Sequence, residues 1–171
     1  KIAGVKMCEA FNDQYKTNFT CLMPANSYGP NDNYDVLNSH FFPALIKKAH
    51  ECKIKNKKYL EVWGTGKPLR ELIFVDDVAE ACIFFMNKNT KNSLINIGSG
   101  KDMSIKQYAQ FLIKKLNLKV KIKFDISKPD GVQKKLLDTS LAKKYGWKSR
   151  ISLDEGFDIT YKSFLKNYKN N

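Results

Sequence analysis

Arginine and histidine are nearly missing from this chain: thirty basic residues include only Arg70 and Arg150, and the only histidines are His40 and His50. Proteins that read nucleic acid use arginine for its planar, bidentate fork, whereas these lysines are scattered along the whole sequence. A net charge of +13 therefore reads as a solvated lysine-rich surface, and no nucleic acid partner is expected. The four cysteines, Cys8, Cys21, Cys52 and Cys82, form no Cys-x-x-Cys pair and have no histidine-rich segment beside them. Zinc and redox chemistry are not expected on that ground, and the thiols are expected to be reduced and to behave as small hydrophobes. No apolar run approaches the ~20 residues that cross a bilayer, and no basic-then-apolar signal segment opens the chain. A cytoplasmic protein with no membrane contact is expected. A glycine-rich Gly-x-Gly-x-x-Gly phosphate loop is also lacking. So is an initial methionine: Ile2, Val5, Cys8, Phe11 and Tyr15 recur at helical spacing from the first residue, with no capping residue ahead of them. The spacing predicts a helix entered partway along, and with it a fragment.

What is present suffices for a core. The 171 residues are about one domain's worth, 43% of them hydrophobic, with eleven Phe and eight Tyr. Phe19 to Met23 reads as a strand ending at Pro24, followed by a long polar loop to Ser39; loops of that length in a compact domain are usually functional. Helices are expected from Phe41 to Cys52 and from Asp76 to about Met86, the second begun by carboxylates that suit a helix N-terminus. Strands are expected at Leu60–Trp63, Glu71–Val75, Leu94–Gly98 and Val120–Phe124, and a short helix runs from about Thr139 to a stop at Gly146. Ser104 with Gln107, and Ser152 with Glu155, fit the capping-box pattern at the start of two further helices. Helices and strands alternate throughout, the signature of an α/β fold.

Three segments carry chemistry together: Met23-Pro24-Ala25-Asn26-Ser27-Tyr28-Gly29-Pro30, Trp63-Gly64-Thr65-Gly66-Lys67-Pro68-Leu69-Arg70-Glu71 and Val75-Asp76-Asp77. They resemble the C-terminal half of extended short-chain dehydrogenases that act on nucleotide sugars. Asn38-Ser39-His40, and Ser127-Lys128-Pro129-Asp130-Gly131 leading into Lys134-Lys135-Leu136-Leu137-Asp138, are similar to the signatures of the subfamily that epimerises and then reduces a GDP-linked keto sugar. The resemblance runs from Lys1 to about Leu165, and only the last two segments separate this subfamily from other epimerases and dehydratases. It implies the C-terminal part of an NAD(P)-binding Rossmann fold, residues 1–34 and 71–98, joined to a smaller α/β substrate domain, residues 35–70 and 99–171. It also implies NADP (NADPH) as cofactor, a GDP-sugar substrate and a homodimer formed through the first helix, which in isolation would expose an apolar stripe.

Residue roles follow from the same resemblance. Lys1 corresponds to the lysine of a Tyr-x-x-x-Lys motif, where an ammonium favours a tyrosinate and binds the cofactor ribose. His40 corresponds to the acid of the epimerisation, which needs one group to remove a proton and another to return it on the opposite face. It also touches the cofactor, as do Pro24, Ala25, Asn26 and Ser27 on the nicotinamide side. Lys48, Trp63, Arg70, Asp130 and Lys135 correspond to substrate contacts. Lys48 stands where such enzymes commonly carry arginine, which keeps the charge and loses the fork. The partner cysteine, serine and tyrosine of the site are not in these 171 residues, so the chain alone is expected to be inactive. His50 has no such context and is expected at the surface. The alternatives are another nucleotide-sugar epimerase or dehydratase of the same superfamily, and more remotely a basic nucleic-acid-binding module.

Overall fold

The structure, a computed structural model, describes residues 1–91 and 93–168; the last three residues of the expected substrate domain fall outside that range. Six helices and eight strands alternate among the described residues. Helix α1 (Ile2–Tyr15) leads into strand β1 (Cys21–Pro24), which pairs in parallel with β5 (Leu94–Ile97). After a one-residue break the chain forms β2 (Asn26–Tyr28), parallel to β4 (Leu69–Phe74), and β4 also carries β6 (Asp102–Ser104) and β8 (Lys134–Lys135). A third pair joins β3 (Tyr59–Trp63) to β7 (Lys121–Asp125), again in parallel. The remaining helices are α2 (Phe41–Ile54), α3 (Val75–Met86), α4 (Ile105–Lys115), α5 (Ser140–Lys144) and α6 (Leu153–Tyr168).

Strand β4 is the wall between two cores. Side chains alternate across a strand with period two, so Leu72 and Phe74 face one side and Ile73 the other. Leu72 and Phe74 join Tyr28, Phe42, Ile46, Leu60, Leu112 and Phe157 in the larger core, while Ile73 joins Ala81, Phe85, Ile95, Ile97, Ala142 and Trp147 in the smaller. Full burial of a Phe or Ile contributes roughly 2 kcal/mol and anchors β4, on which the short β2 and β6 pair. Helix α5 packs on the smaller core, so residues near 140–147 sit with β1 and β5 although they follow the second expected boundary in sequence.

Glu71 shares a face with Ile73 and is 1% exposed. Its Oε1 accepts the Gly100 N–H at 2.6 Å and the Ser99 hydroxyl at 3.4 Å, its Oε2 accepts the Leu137 N–H at 2.9 Å, and its carbonyl accepts the Asn26 side-chain amide at 2.9 Å. The buried carboxylate thus pins the turn after β5 and the segment after β8, and the backbone carbonyl of the same residue pins the crossover from β1 to β2. A Cβ at Gly98 would collide with this carboxylate, so glycine is required there by space alone. Asp77 works similarly at the start of α3, accepting the Arg150 and Ile151 N–H groups at 3.0 and 3.1 Å.

Local signals account for several ends. Ser104 and Gln107 form the reciprocal capping box at α4, and the Ser152 hydroxyl accepts the Glu155 N–H at 3.2 Å at the start of α6. Gly146, at φ 94°, ends the α5 segment in a conformation that favours glycine. Helix α1 buries none of its residues, and Ile2, Met7, Phe11 and Tyr15 along it are exposed, as the apolar stripe anticipated.

The expected surface position of His50 is wrong. It is 7% exposed, enclosed by the rings of Tyr161, Phe164 and Tyr168, with Nδ1 2.8 Å from the Tyr161 hydroxyl. The sequence near His50 is lysine-rich, and the burying partners come from α6, more than a hundred residues later. Burial, with Lys53 nearby, lowers the His50 pKa from its usual 6.5.

Because the folded state holds His50 neutral, the unfolded chain binds more protons below about pH 6.5. Stability is expected to be unaffected above that pH and to fall as pH drops from 6.5 through the lowered folded-state value. Thermal melts of wild type and His50→Phe will show this: the variant should lose that part of the slope. Glu71→Ala should cost ~3 kcal/mol or more in denaturant melts, because it leaves buried N–H donors without an acceptor.

Candidate functional site

The strongest concentration of predicted residues is a pocket of about 240 Å³ between α2, the end of β3, β4 and the turn that follows β7; its lining includes Lys48, Trp63, Arg70 and Asp130. These four come from three separate stretches of sequence, Trp63 and Arg70 sharing one, and converge through the fold. Alternation along β3 sends Leu60 and Val62 into the core and leaves Glu61 and Trp63 on the opposite face. Trp63 Nε1 therefore reaches Glu61 Oε1, at 3.1 Å. Lys48, on α2 behind the strand, places its Nζ 4.3 Å from the centre of the Trp63 ring and 3.3 Å from the same Glu61 oxygen. Lys128 approaches the ring as well, at 5.4 Å.

Asp130 holds the pocket's rim. Its two oxygens accept the Thr65 N–H at 2.6 Å and the Thr65 hydroxyl at 2.7 Å, tying the turn at 128–131 to the turn at 64–66. Those hydrogen bonds, the hydroxyl first, hold its carboxyl below the usual carboxylate range. Gly64 and Gly66 adopt φ of 74° and 73°, and a side chain at Gly64 would strike the Asp130 carboxylate. Arg70 lies opposite Met103 of β6 and Lys135 of β8, so the Arg70 and Lys135 side chains issue from neighbouring positions on one face. The Arg70 guanidinium donates to the Leu69 carbonyl at 2.8 Å, leaving most of its fork uncommitted. Lys135 itself is exposed and does not line the pocket.

His40 stands at the N-cap of α2, exposed, with no side-chain capping bond. Its chain neighbours Ser39 and Phe41 line the pocket, while His40 itself does not. The loop before it is ordered by Asp35, whose Oδ1 accepts the Leu37 and Asn38 N–H groups at 2.9 and 2.7 Å. Burial pushes the nearby Asp32 carboxyl up, and the proximity of His40 opposes that shift. Lys1 is exposed at the N-cap of α1; among the described residues no hydrogen bond or ion pair ties its ammonium to His40 or to Pro24–Ser27.

Pro24–Ser27 lies at the C-terminal ends of the parallel pair β1 and β5, the usual ligand position in an open α/β sheet. The Ala25 N–H is taken by the Ile97 carbonyl at 2.8 Å and the Asn26 amide by the Glu71 carbonyl. The Ser27 hydroxyl makes only a 3.4 Å contact to the Ala25 carbonyl, so it is available to a ligand. No Gly-x-Gly-x-x-Gly phosphate loop is among these 171 residues. A larger cavity of about 470 Å³, bordered by Asp77, Trp147 and Arg150, contains none of the predicted residues. Its size alone does not recommend it, since its floor is the buried core and its lysines lie exposed on the rim.

Residues 1–98 match the model of the NAD dependent epimerase/dehydratase family. The chain belongs to that family. Among curated relatives, GDP-L-fucose synthase of Sinorhizobium fredii is 42% identical over 100% of this chain and 54% of its own length. GDP-L-fucose synthase of Escherichia coli is 43% identical over 98% of this chain and 55% of its own. A solved GDP-L-fucose synthetase from Naegleria fowleri bound to NADP superposes with TM-score 0.83 at 26% identity, over 96% of this chain and 54% of that one. The chain thus spans about half the length of the curated relatives it matches. Its fold is the α/β fold of NAD(P)-binding epimerases and reductases in this family.

Glu61, Thr65 and Lys128 were not foreseen as site residues. Glu61 and Lys128 are ordinary charged residues in their local sequence, and Thr65 sits in a glycine turn; only the alternation of Leu60 and Val62, which places Glu61 beside Trp63, hinted at a role. Trp147 is 3% exposed, so ionic quenchers reach only Trp63. With two lysines around that ring, iodide should quench the accessible fluorescence more strongly than caesium, and Lys48→Met should narrow the difference.

Proposed function

We propose that this chain is the C-terminal half of a GDP-L-fucose synthase, an enzyme that epimerises GDP-4-keto-6-deoxy-D-mannose at C3 and C5 and reduces its C4 ketone. The observation that carries the reading is the convergence of Lys48, Trp63, Arg70 and Asp130 on one pocket, with His40 at the N-cap of the helix that carries Lys48. Arg70 and Lys48 provide the positive charge a pyrophosphate needs, and Trp63 offers a flat apolar surface. Lys135, beside Arg70, adds charge at the mouth. Asp130 fixes the turn that closes the pocket through its bonds to Thr65.

His40 is exposed at a helix start and belongs to a residue type that exchanges a proton near neutral pH, so it can return a proton to a sugar carbon beside the ketone. Pro24, Ala25, Asn26 and Ser27 would hold the nicotinamide end of NADPH, with the Ser27 hydroxyl donating to it in place of its 3.4 Å contact with the Ala25 carbonyl. NADPH, when bound, supplies the hydride that reduces the ketone. Lys1, at the start of α1, would stabilise a tyrosinate and bind ribose. The base that opens the epimerisation is not among these residues, and the 171-residue chain alone is expected to show no turnover.

In this reading residues 1–34 and 71–98 are the Rossmann side and 35–70 and 99–171 the substrate side, with α5 docked back on the Rossmann core. Among the described residues no helix is long and apolar enough to cross a membrane; a cytoplasmic homodimer is proposed for the full-length enzyme. In that enzyme His40→Asn should abolish epimerisation, read by NMR as loss of C3- and C5-inverted product. Unimpaired inversion would assign the acid to another residue and the chain to another branch of the family.

A further inference from the structure

The pocket contains an internal competitor for its ligand. Lys48 Nζ, on a side chain only 16% exposed, is paired at 3.3 Å with Glu61, whose side chain is 52% exposed. Glu61 Oε1 also accepts from Trp63 Nε1, while Oε2 has no hydrogen-bond partner among the described residues. Asp130, the other carboxylate lining the pocket, has both oxygens engaged by Thr65. Glu61 is therefore the acid that faces whatever Lys48 binds. Lysine is a compact point charge without a second fork, so it cannot grip a phosphate and Glu61 as an arginine could.

We propose that Glu61 is a specificity-determining residue that disfavours free nucleoside diphosphates and admits sugar-linked diphosphates. The inference rests on reading the pocket as a nucleotide diphosphate site. A terminal phosphate has a second ionisation near pH 6 and carries an additional charge at neutral pH. When a sugar is attached, the pyrophosphate is a diester and that charge is gone. A carboxylate one ammonium group away from a bound phosphate repels each unit of ligand charge by an amount that, in a solvated pocket, is on the order of three- to tenfold in affinity. The more highly charged diphosphate bears the larger penalty. Discrimination between the linked sugar and the free nucleotide is thus built into the pocket wall, with Lys48 held in place by the same group.

Calorimetric titration with GDP and with GDP-mannose, on wild type, Glu61→Gln and the same pair in a Lys48→Met background, tests this. Glutamine keeps an acceptor for Trp63 Nε1 and removes the charge. Both ligands should bind more tightly to Glu61→Gln, with GDP gaining roughly threefold more than GDP-mannose. The gain should shrink when Lys48 is Met, since the two side chains act as a coupled pair. Equal gains for the two ligands, no gain, or weaker binding in Glu61→Gln would overturn the inference while leaving the pocket assignment standing. If neither ligand binds wild type or variant, the pocket assignment itself fails and the inference with it.

Discussion

A single buried carboxylate, Glu71, fixes where the candidate site can be. It sits on the face of β4 that looks toward β5, and its oxygens hold Gly100, Ser99 and Leu137 while its carbonyl holds Asn26. An ionised group is costly to bury unless its lone pairs are used, and here the compensation comes from backbone N–H groups of segments that have no other reason to meet. The arrangement converts a local charge into a long-range constraint. The turn at Ala25–Asn26, the end of β5 and the run containing Lys134 and Lys135 are all placed relative to Arg70, the neighbouring residue on the strand.

The two faces of β4 then divide the labour. Leu72 and Phe74 anchor the larger core, on which α2 and β3 carry Lys48, Glu61 and Trp63; Ile73 anchors the smaller core, on which β1 and β5 present Pro24–Ser27. A ligand bridging the two sides would lie across the strand that both cores share. The pocket draws on both sides of the family-matched region, from Lys48, Trp63 and Arg70 within residues 1–98 and from Asp130 beyond it.

Much of the fold could be read from local signals. The Ser104–Gln107 box, the stop at Gly146, the Asp76–Asp77 start and the alternation of Leu60 and Val62 each act within a few residues, and each found its element. Strands β2, β6 and β8 were hidden because they are two or three residues long and exist only by pairing with β4; Asn26–Tyr28 reads as loop until Leu72–Phe74 is beside it. His50 was misplaced for the same reason, since Tyr161 and Phe164 enclose it from the far end of the chain. For the site, the resemblance of motifs named Lys48, Trp63, Arg70 and Asp130, and the fold brought them together. The Glu61 contact escaped because no motif requires an acid there, and a glutamate between two buried residues of a strand looks like an ordinary solvent-facing position.

Glu71 and Gly98 also limit how this chain can change over time. The carboxylate fills the space that any side chain at 98 would need. An alanine at 98 therefore cannot precede a shorter residue at 71, and a shorter residue at 71 opens a gap that only a larger residue at 98 would fill. The two positions are locked in order as well as in space: substitution must pass through a weakened intermediate, so across descendants of this sequence they should vary together or not at all.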